Sequence, residues 1–513
     1  MRIERKHWPY WGLALLFLAL ISLPYVYAYQ AGGDDFVFGG FLLNPIDGNS
    51  YLAKMRQGWN GSWTFTLPYT AEPGEGSYLF LFYLFLGHVA RVTGMSTLLT
   101  FHAVRVLGAI LLLWAVYEFC KSFFSEGRWR LLAFALSSFG SGLGWIAVFF
   151  NAFTPDLWVA ETFPFLSAYA TPHFAIGLTL QITLLNPAIL QKLDWRKAIL
   201  LGVLSLLLAI IMPFGAVVVG VMWLGVFVWQ LVAREDVWNN FWRLVAVGVG
   251  SGPLSVYYLW VARNHPVLAG WNAQNLTPSP PLGELLIALS PALLLALVGA
   301  WCVWQKRDAN QRLLLVWFIL GFILLYAPFS LQRRFISAFY VPVAVLAVMG
   351  IVWIVEHRGR WRRRLVVGVL VLSTVTNMIV LLSAIDGIRS RSTGIYLFKE
   401  ELEAYQWLEE NAPSETIVLA MPLHSLRIPV YSDARVIYGH PFETVDAEEK
   451  KVLVMGFLEE EVTLEQINAT LEQSQINYIL VGPTGRRAYG GFQYGSYRDA
   501  IFYNGVFAIH ELP

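Results

Sequence analysis

Long apolar runs separated by short basic loops fill most of the chain, and this alternation sets the expected fold. A hydrocarbon core of roughly 30 Å takes about 20 apolar residues per helix. Runs of that kind predict helices near 10–29, 99–120, 130–150, 173–191, 198–212, 214–233, 243–262, 284–304, 312–328, 335–355 and 365–385, about eleven spans. Strands of the barrel type, with strict alternation, do not occur, so the spans are expected to be helical. The run from Tyr10 to Tyr29 is long and lacks a small-x-small cleavage pattern, so it reads as an anchored first span rather than a signal peptide.

Charge then orients the spans. With the N-terminus cytoplasmic, the loops Lys121–Arg130, Lys192–Lys197, Arg234–Arg243, Lys306–Arg312 and Arg358–Arg364 all fall inside, and all are basic. Counting Tyr78–Val92 as a span would invert everything after it. It is therefore expected to lie in the outer interface or re-enter, with His88 and Arg91 towards water. Pro213 and Gly215 mark two short spans or one kinked helix. Residues 1–385 are expected to form the membrane domain, with long outer loops at 30–98 and 151–172. The composition, 57% hydrophobic and 14% charged, excludes a soluble globular protein of this length. Aromatic residues reach 15%, as interfacial belts require. Cys120 and Cys302 offer neither a disulfide framework nor metal spacing.

After Ile385 the composition changes. Phe398–Glu410 has helical periodicity, Thr416–Met421 and Ile476–Val481 read as strands, and Thr463 with Gln466 makes a capping box opening a helix to about Glu472. Residues 386–513 are expected to form a small soluble α/β domain, which parity of the spans puts outside the cytoplasm. The polar Tyr438–Thr444 loop offers groups that could touch acceptor or donor, with a turn before a helix at Asp446–Gly456 as its plainer use. Trp407 falls on the apolar face of its helix and is expected in the core.

Candidate chemistry sits on the outer side. The first loop carries Asp34, Asp35 and Asp47. Asp47 follows Pro45, precedes Gly48, and stands just ahead of a helix expected to start near Asn49. A helix N-terminus favours an ionised carboxylate, and an ionised carboxylate is what a general base needs. The same Asp47 could serve as a helix cap, and Asp34–Asp35 as a solvated turn after Gly32–Gly33. In the second loop, Asp156 and Glu161 would join these carboxylates around a hard divalent cation such as Mg or Mn; a solvated loop is the plainer reading. His173 opens a span as an interfacial hydrogen-bonder or a ligand to substrate. Arg333–Arg334 opposes the inside bias of the five basic loops, and arginine pairs bidentately with phosphate. Arg105 lies about one turn into a span and is expected to need an anionic partner. No Walker loop, dinucleotide fingerprint, zincin helix or serine elbow occurs.

Several residues together resemble the GT-C superfamily of polytopic glycosyltransferases. They are the acidic first loop with Tyr51 four residues after Asp47, the stretch Pro68–Gly94, Phe101…Arg105, the acidic second loop, and Arg333–Arg334. The Asp47…Tyr51…Gly58 stretch is similar to the region holding that family's catalytic aspartate. Members often carry an adjacent Asp-Glu or Glu-Asp pair, whereas this chain has Asp34–Asp35 and a separate Asp47. The resemblance implies a polyprenyl-phosphate sugar donor, an acceptor glycan, lipid or protein, inversion at the anomeric carbon, and a multi-pass cell membrane location. Arg105, Tyr51, His173, Arg333 and Arg334 would bind substrate, and no nucleic-acid partner is expected. Two other readings use the same features: a transporter or flippase of an amphipathic lipid-linked substrate, and a non-catalytic scaffold. A transporter usually brings midplane charges and internal repeats, and no repeat stands out here.

Overall fold

The computed structural model describes residues 7–187, 193–306, 308–357, 362–413, 416–458, 463, 465–466, 469, 476–483 and 500–512. The expected helix from Thr463 to Glu472 lies largely outside the described residues. Its capping box is visible: Gln466 Oε1 accepts from Thr463 N at 2.7 Å, and Thr463 Oγ1 accepts from Gln466 N at 3.3 Å.

The protein is mainly helical. Among the described residues six helices are long and apolar enough to cross a membrane: Trp8–Ala31, Thr97–Phe123, Pro213–Val232, Trp238–Asn264, Tyr340–His357 and Arg364–Arg389. Two bent pairs, Gly127–Phe139 with Gly144–Phe150 and Leu282–Leu289 with Ala292–Lys306, raise the number to 8 if each is one span. The other three expected spans form helices Pro172–Leu184, Trp195–Ile211 and Ala309–Leu325, of 13, 17 and 17 residues. At 1.5 Å per residue these reach at most the lower limit for crossing the hydrocarbon. At Met212 the backbone leaves the helix (φ −147, ψ 80), so Pro213 starts a new helix rather than kinking one.

The chain divides into two compact units. Unit 1 comprises Met1–Val26, His102–Tyr257 and Thr277–Asp386; unit 2 comprises Tyr27–Phe101, Tyr258–Leu276 and Gly387–Pro513.

In unit 1, helices Ala292–Lys306 and Tyr340–His357 pack backbone to backbone. A Cβ at Gly299 would lie 1.9 Å from the Leu346 carbonyl oxygen, and one at Gly350 would lie 2.2 Å from that of Leu295. Small residues permit such approach where apolar burial gives helices no drive to associate in lipid. Some polar groups in the apolar body are tied to backbone: Tyr340 donates to the Ser141 carbonyl at 3.0 Å and Asn377 to that of Phe139 at 2.8 Å.

In unit 2, strand β1 (Phe36–Phe38) pairs antiparallel with β2 (Tyr396–Phe398), joining the first long loop to the C-terminal segment. Five further strands form one sheet: β3 (Ile417–Ala420), β4 (Arg435–Val436), β5 (Tyr478–Val481), β6 (Phe502–Tyr503) and β7 (Ala508–Glu511), in the order β4-β3-β5-β7-β6. β3 runs parallel to both β4 and β5, while β7 is antiparallel to β5 and β6. Ile417, Leu419, Ile479, Val454 and Phe457 fill its core. Trp407 packs edge-on to Tyr478, with centroids 6.1 Å apart. Helix Leu81–Thr93, whose buried residues include Phe82, Tyr83, Leu86 and Ala90, packs along helix Pro45–Trp59. Gly58 and Gly87 let these two backbones meet, since a Cβ at either would stand 2.0 Å from a carbonyl oxygen of the facing helix. Arg91 is exposed, as expected, but His88 is half-buried and stacks on Trp63 at 4.1 Å.

Candidate active site

Helix Pro45–Trp59 begins four residues earlier than its polar start suggests. Pro45 takes the first helical position, where no amide hydrogen is needed, and Asn44 precedes it with φ 51. Asp47 therefore lies inside the first turn rather than ahead of it, near the unpaired amides of the helix start. Asn44 Nδ2 donates to Asp47 Oδ2 at 2.5 Å. On its other side, Asp47 Oδ1 lies 3.5 Å from His440 Nε2; Asp47 keeps 33% of its side-chain exposure and His440 only 2%. The Phe442 amide donates to His440 Nδ1 at 3.1 Å, which leaves the ring proton on Nε2, facing Asp47.

A buried ion pair supports this arrangement. One and two turns beyond Asp47, Ser50 and Lys54 point to Glu443, whose Oε1 accepts from Ser50 at 2.5 Å and from Lys54 at 2.6 Å. Lys54 also hydrogen-bonds Ser50 and sits over the Phe80 ring, 4.4 Å from its centroid. Burial alone would raise the Glu443 carboxyl. Attraction to Lys54, with hydrogen bonds from Lys54 and Ser50, outweighs it and holds the group below the usual range. Tyr51 stacks on Tyr83 at 4.4 Å and 8°. Burial, then the neighbouring Tyr51 and Asp47, push the Tyr83 hydroxyl well above its usual value, so it stays a neutral donor. Thr444 closes the loop by donating to the Tyr69 carbonyl at 2.8 Å, and Trp271 by donating to that of Phe442 at 2.6 Å.

Asp34 and Asp35 stand exposed on the turn ahead of β1, after Gly33 at φ 72. The Asp35 carbonyl accepts from the Lys399 amide at 3.1 Å, which ties the turn to the end of β2. Neither is brought to the Asp47 cluster by any contact described above.

Unit 1 holds the remaining expected residues. Arg334 Nη1 pairs with Glu161 Oε1 at 3.1 Å, and the Arg333 guanidinium lies 4.6 Å from the Trp158 ring centroid. Arg334 retains 27% exposure. Asp156 is buried and spends its carboxylate on the chain: Oδ2 accepts from the Gly142 and Gly144 amides at 3.1 and 2.9 Å, and Oδ1 from Thr154 at 2.6 Å. A Cβ at Gly144 would stand 2.4 Å from Asp156 Oδ1, so the loop needs glycine there. Burial raises this carboxyl above its usual value despite those bonds.

These partners do not make a cation site. Asp156 would have to give up three donors, and Glu161 is the counterion of Arg334. Among the described residues no group of three or more His, Cys, Asp or Glu could hold a metal ion.

Arg105 also differs from expectation. It is buried, yet its partners are not carboxylates: Nη1 donates to the carbonyls of Ile21 and Ala168, both at 3.0 Å, and Nε to His102 at 3.2 Å. The Tyr25 ring lies 4.2 Å away. Carbonyl dipoles and a π face satisfy the cation without an anion. His173 is half-buried at the start of its helix, with Phe174 at 4.0 Å. Nothing in the sequence marks Lys54 for the site, while His440 and Glu443 fall in the polar loop whose plainer use is a turn. The one signal for the last two was the density of polar groups in Tyr438–Thr444.

Solved structures share this fold. The Archaeoglobus fulgidus oligosaccharyltransferase in complex with Zn and sulfate matches with a TM-score of 0.59 and 14% identity, over 97% of this chain and 70% of that one. AglB of Archaeoglobus fulgidus, in complex with an inhibitory peptide and a dolichol-phosphate, matches at 0.57 and 14%, over 92% and 69%. ArnT of Cupriavidus metallidurans bound to undecaprenyl phosphate matches at 0.53 and 12%, over 98% of both chains. No protein-family model and no curated protein matches the chain. The likeness gives this chain a GT-C fold.

Proposed function

We propose that this protein is a multi-pass membrane glycosyltransferase that moves a sugar from a polyprenyl-phosphate donor to an acceptor hydroxyl. The reading is supported by the shared fold, by neighbours that hold dolichol-phosphate or undecaprenyl phosphate, and above all by Asp47. It is a part-exposed carboxylate in the first turn of a helix, held by Asn44 and faced by a buried imidazole. Asp47 removes the proton of the acceptor hydroxyl as that oxygen bonds to the anomeric carbon. The bond from that carbon to the phosphate oxygen breaks, and its electron pair leaves with the phosphate. Attack opposite the phosphate inverts the centre. Arg333 and Arg334 neutralise the charge that grows on the leaving phosphate. The five basic loops support a cytoplasmic N-terminus, with residues 386–513 on the outer side. Nucleotide sugars are cytoplasmic, so a transferase acting outside draws on a lipid-borne donor.

The test is transfer by purified protein in lipid, with labelled sugar supplied either on polyprenyl phosphates or as nucleotide sugars. Transfer from a lipid donor alone, with inverted product and a raised donor KM in Arg333→Ala and Arg334→Ala, is expected. Transfer from nucleotide sugars, or from no donor by folded protein, rejects the reading.

A further inference from the structure

His440 Nε2 is buried with no hydrogen-bond partner, and so is Glu443 Oε2. Buried polar atoms are nearly always paired, and each exception asks for an explanation. The His440 ring cannot turn its donor elsewhere cheaply, because Nδ1 already accepts from the Phe442 amide and Pro441 stiffens the segment. Its Nε2–H is therefore aimed at one acceptor, Asp47 Oδ1, from just beyond hydrogen-bond range at 3.5 Å. Catalytic hydrogen bonds are commonly long without substrate and tighten when it binds.

We propose that His440 is a positioning residue for Asp47: its Nε2–H closes onto Oδ1 when substrate binds, orienting the carboxylate and favouring its ionised form. The proposal rests on Asp47 being the base. His440 relays no proton, since its other nitrogen is occupied by the Phe442 amide. The groups facing it are Asp47 from helix Pro45–Trp59, Glu443 from its own loop with Lys54 behind it, and the Tyr69 ring at 5.6 Å. Tyr69 is kept neutral by burial and by Glu443. A donor to a carboxylate stabilises the anion, so its removal makes Asp47 harder to ionise.

The test compares pH–rate profiles of the full-length protein in lipid for wild type, His440→Gln, His440→Phe and Asp47→Asn. Glutamine keeps an amide donor without an imidazole, whereas phenylalanine fills the volume and donates nothing. His440→Gln should stay near wild type. His440→Phe should lose about ten-fold in kcat, with the acidic limb moved up by about one pH unit and the donor KM unchanged. If His440→Phe keeps the wild-type limb and kcat while Asp47→Asn is dead, the role of His440 fails and Asp47 stands. If Asp47→Asn turns over normally, the base assignment fails and takes this inference with it. A readout free of activity uses ¹⁵N-labelled histidine: an Nε2–H tautomer whose resonance moves in Asp47→Asn is expected, and an unmoved resonance overturns the contact. It also decides the matter if His440→Phe does not fold.

Discussion

Two buried clusters in unit 2 draw on similar residues and end differently. In one, Glu401 Oε1 accepts from Tyr405 at 2.5 Å, His424 at 2.8 Å and Arg427 at 2.9 Å, while Oε2 takes a second bond from Arg427 at 3.1 Å. Arg427 spends its other nitrogen on the carbonyls of Thr393 and Tyr396. In the other, Glu443 fills Oε1 with Ser50 and Lys54, yet its Oε2 and the His440 Nε2 are left without partners. The first cluster is closed and acts as a brace, tying the segment after Gly387 to helix Lys399–Asn411. The second keeps unspent valences beside a part-exposed carboxylate. What sets this pair apart is its place: the unspent valences face a part-exposed carboxylate, where a bound ligand can reach.

The largest expected effect falls on the brace. Glu401→Leu leaves Arg427 buried without its counterion and should cost about 3–5 kcal/mol, read as a lowered unfolding midpoint in lipid, with the folded fraction still active. Full stability in that variant would erase the contrast. Acid should find the same cluster. Burial works against the Glu401 charge, but attraction to His424 and Arg427 and their hydrogen bonds overcome it and hold the carboxyl at about 2. A depressed carboxylate stabilises the fold above its unfolded value of about 4.3 and loses that stabilisation as pH falls towards the folded value. Unfolding midpoints of wild type should therefore drop between these limits by more than those of Glu401→Gln, a difference of about 3 kcal/mol when complete. Parallel acid curves would refute it. The smallest stability effect should come from Glu443→Gln, about 1–3 kcal/mol, because the amide keeps one acceptor for Lys54 and Ser50. Its transfer rate should nevertheless fall, and a variant that is weakened but fully active would make the second cluster a brace like the first.

Part of this could be read from the sequence. Asp47 stands out because Pro45 and Gly48 announce a helix start, although Pro45 puts that start earlier than the first polar residues imply. Arg105 and the Arg333–Arg334 pair are conspicuous as charges against apolar runs. Their partners are not, because a carbonyl such as that of Ile21 leaves no mark in a sequence. The acidity of the second loop was equally plain, but not that Asp156 would serve the Gly142 and Gly144 amides while Glu161 served Arg334. Ser50 and Glu443 lie 393 positions apart, and no periodicity links residues at that distance. His440 becomes conspicuous only when the fold brings its loop against the first turn of the Asp47 helix. The expected spans that fell short end where local chemistry ends them, as at Met212–Pro213.

The most direct measurement is single-turnover sugar transfer by Asp47→Asn, in lipid, at saturating polyprenyl-phosphate donor. The account predicts a loss of about 10²–10⁴-fold with donor binding and the unfolding midpoint unchanged. Transfer at the wild-type rate would contradict it.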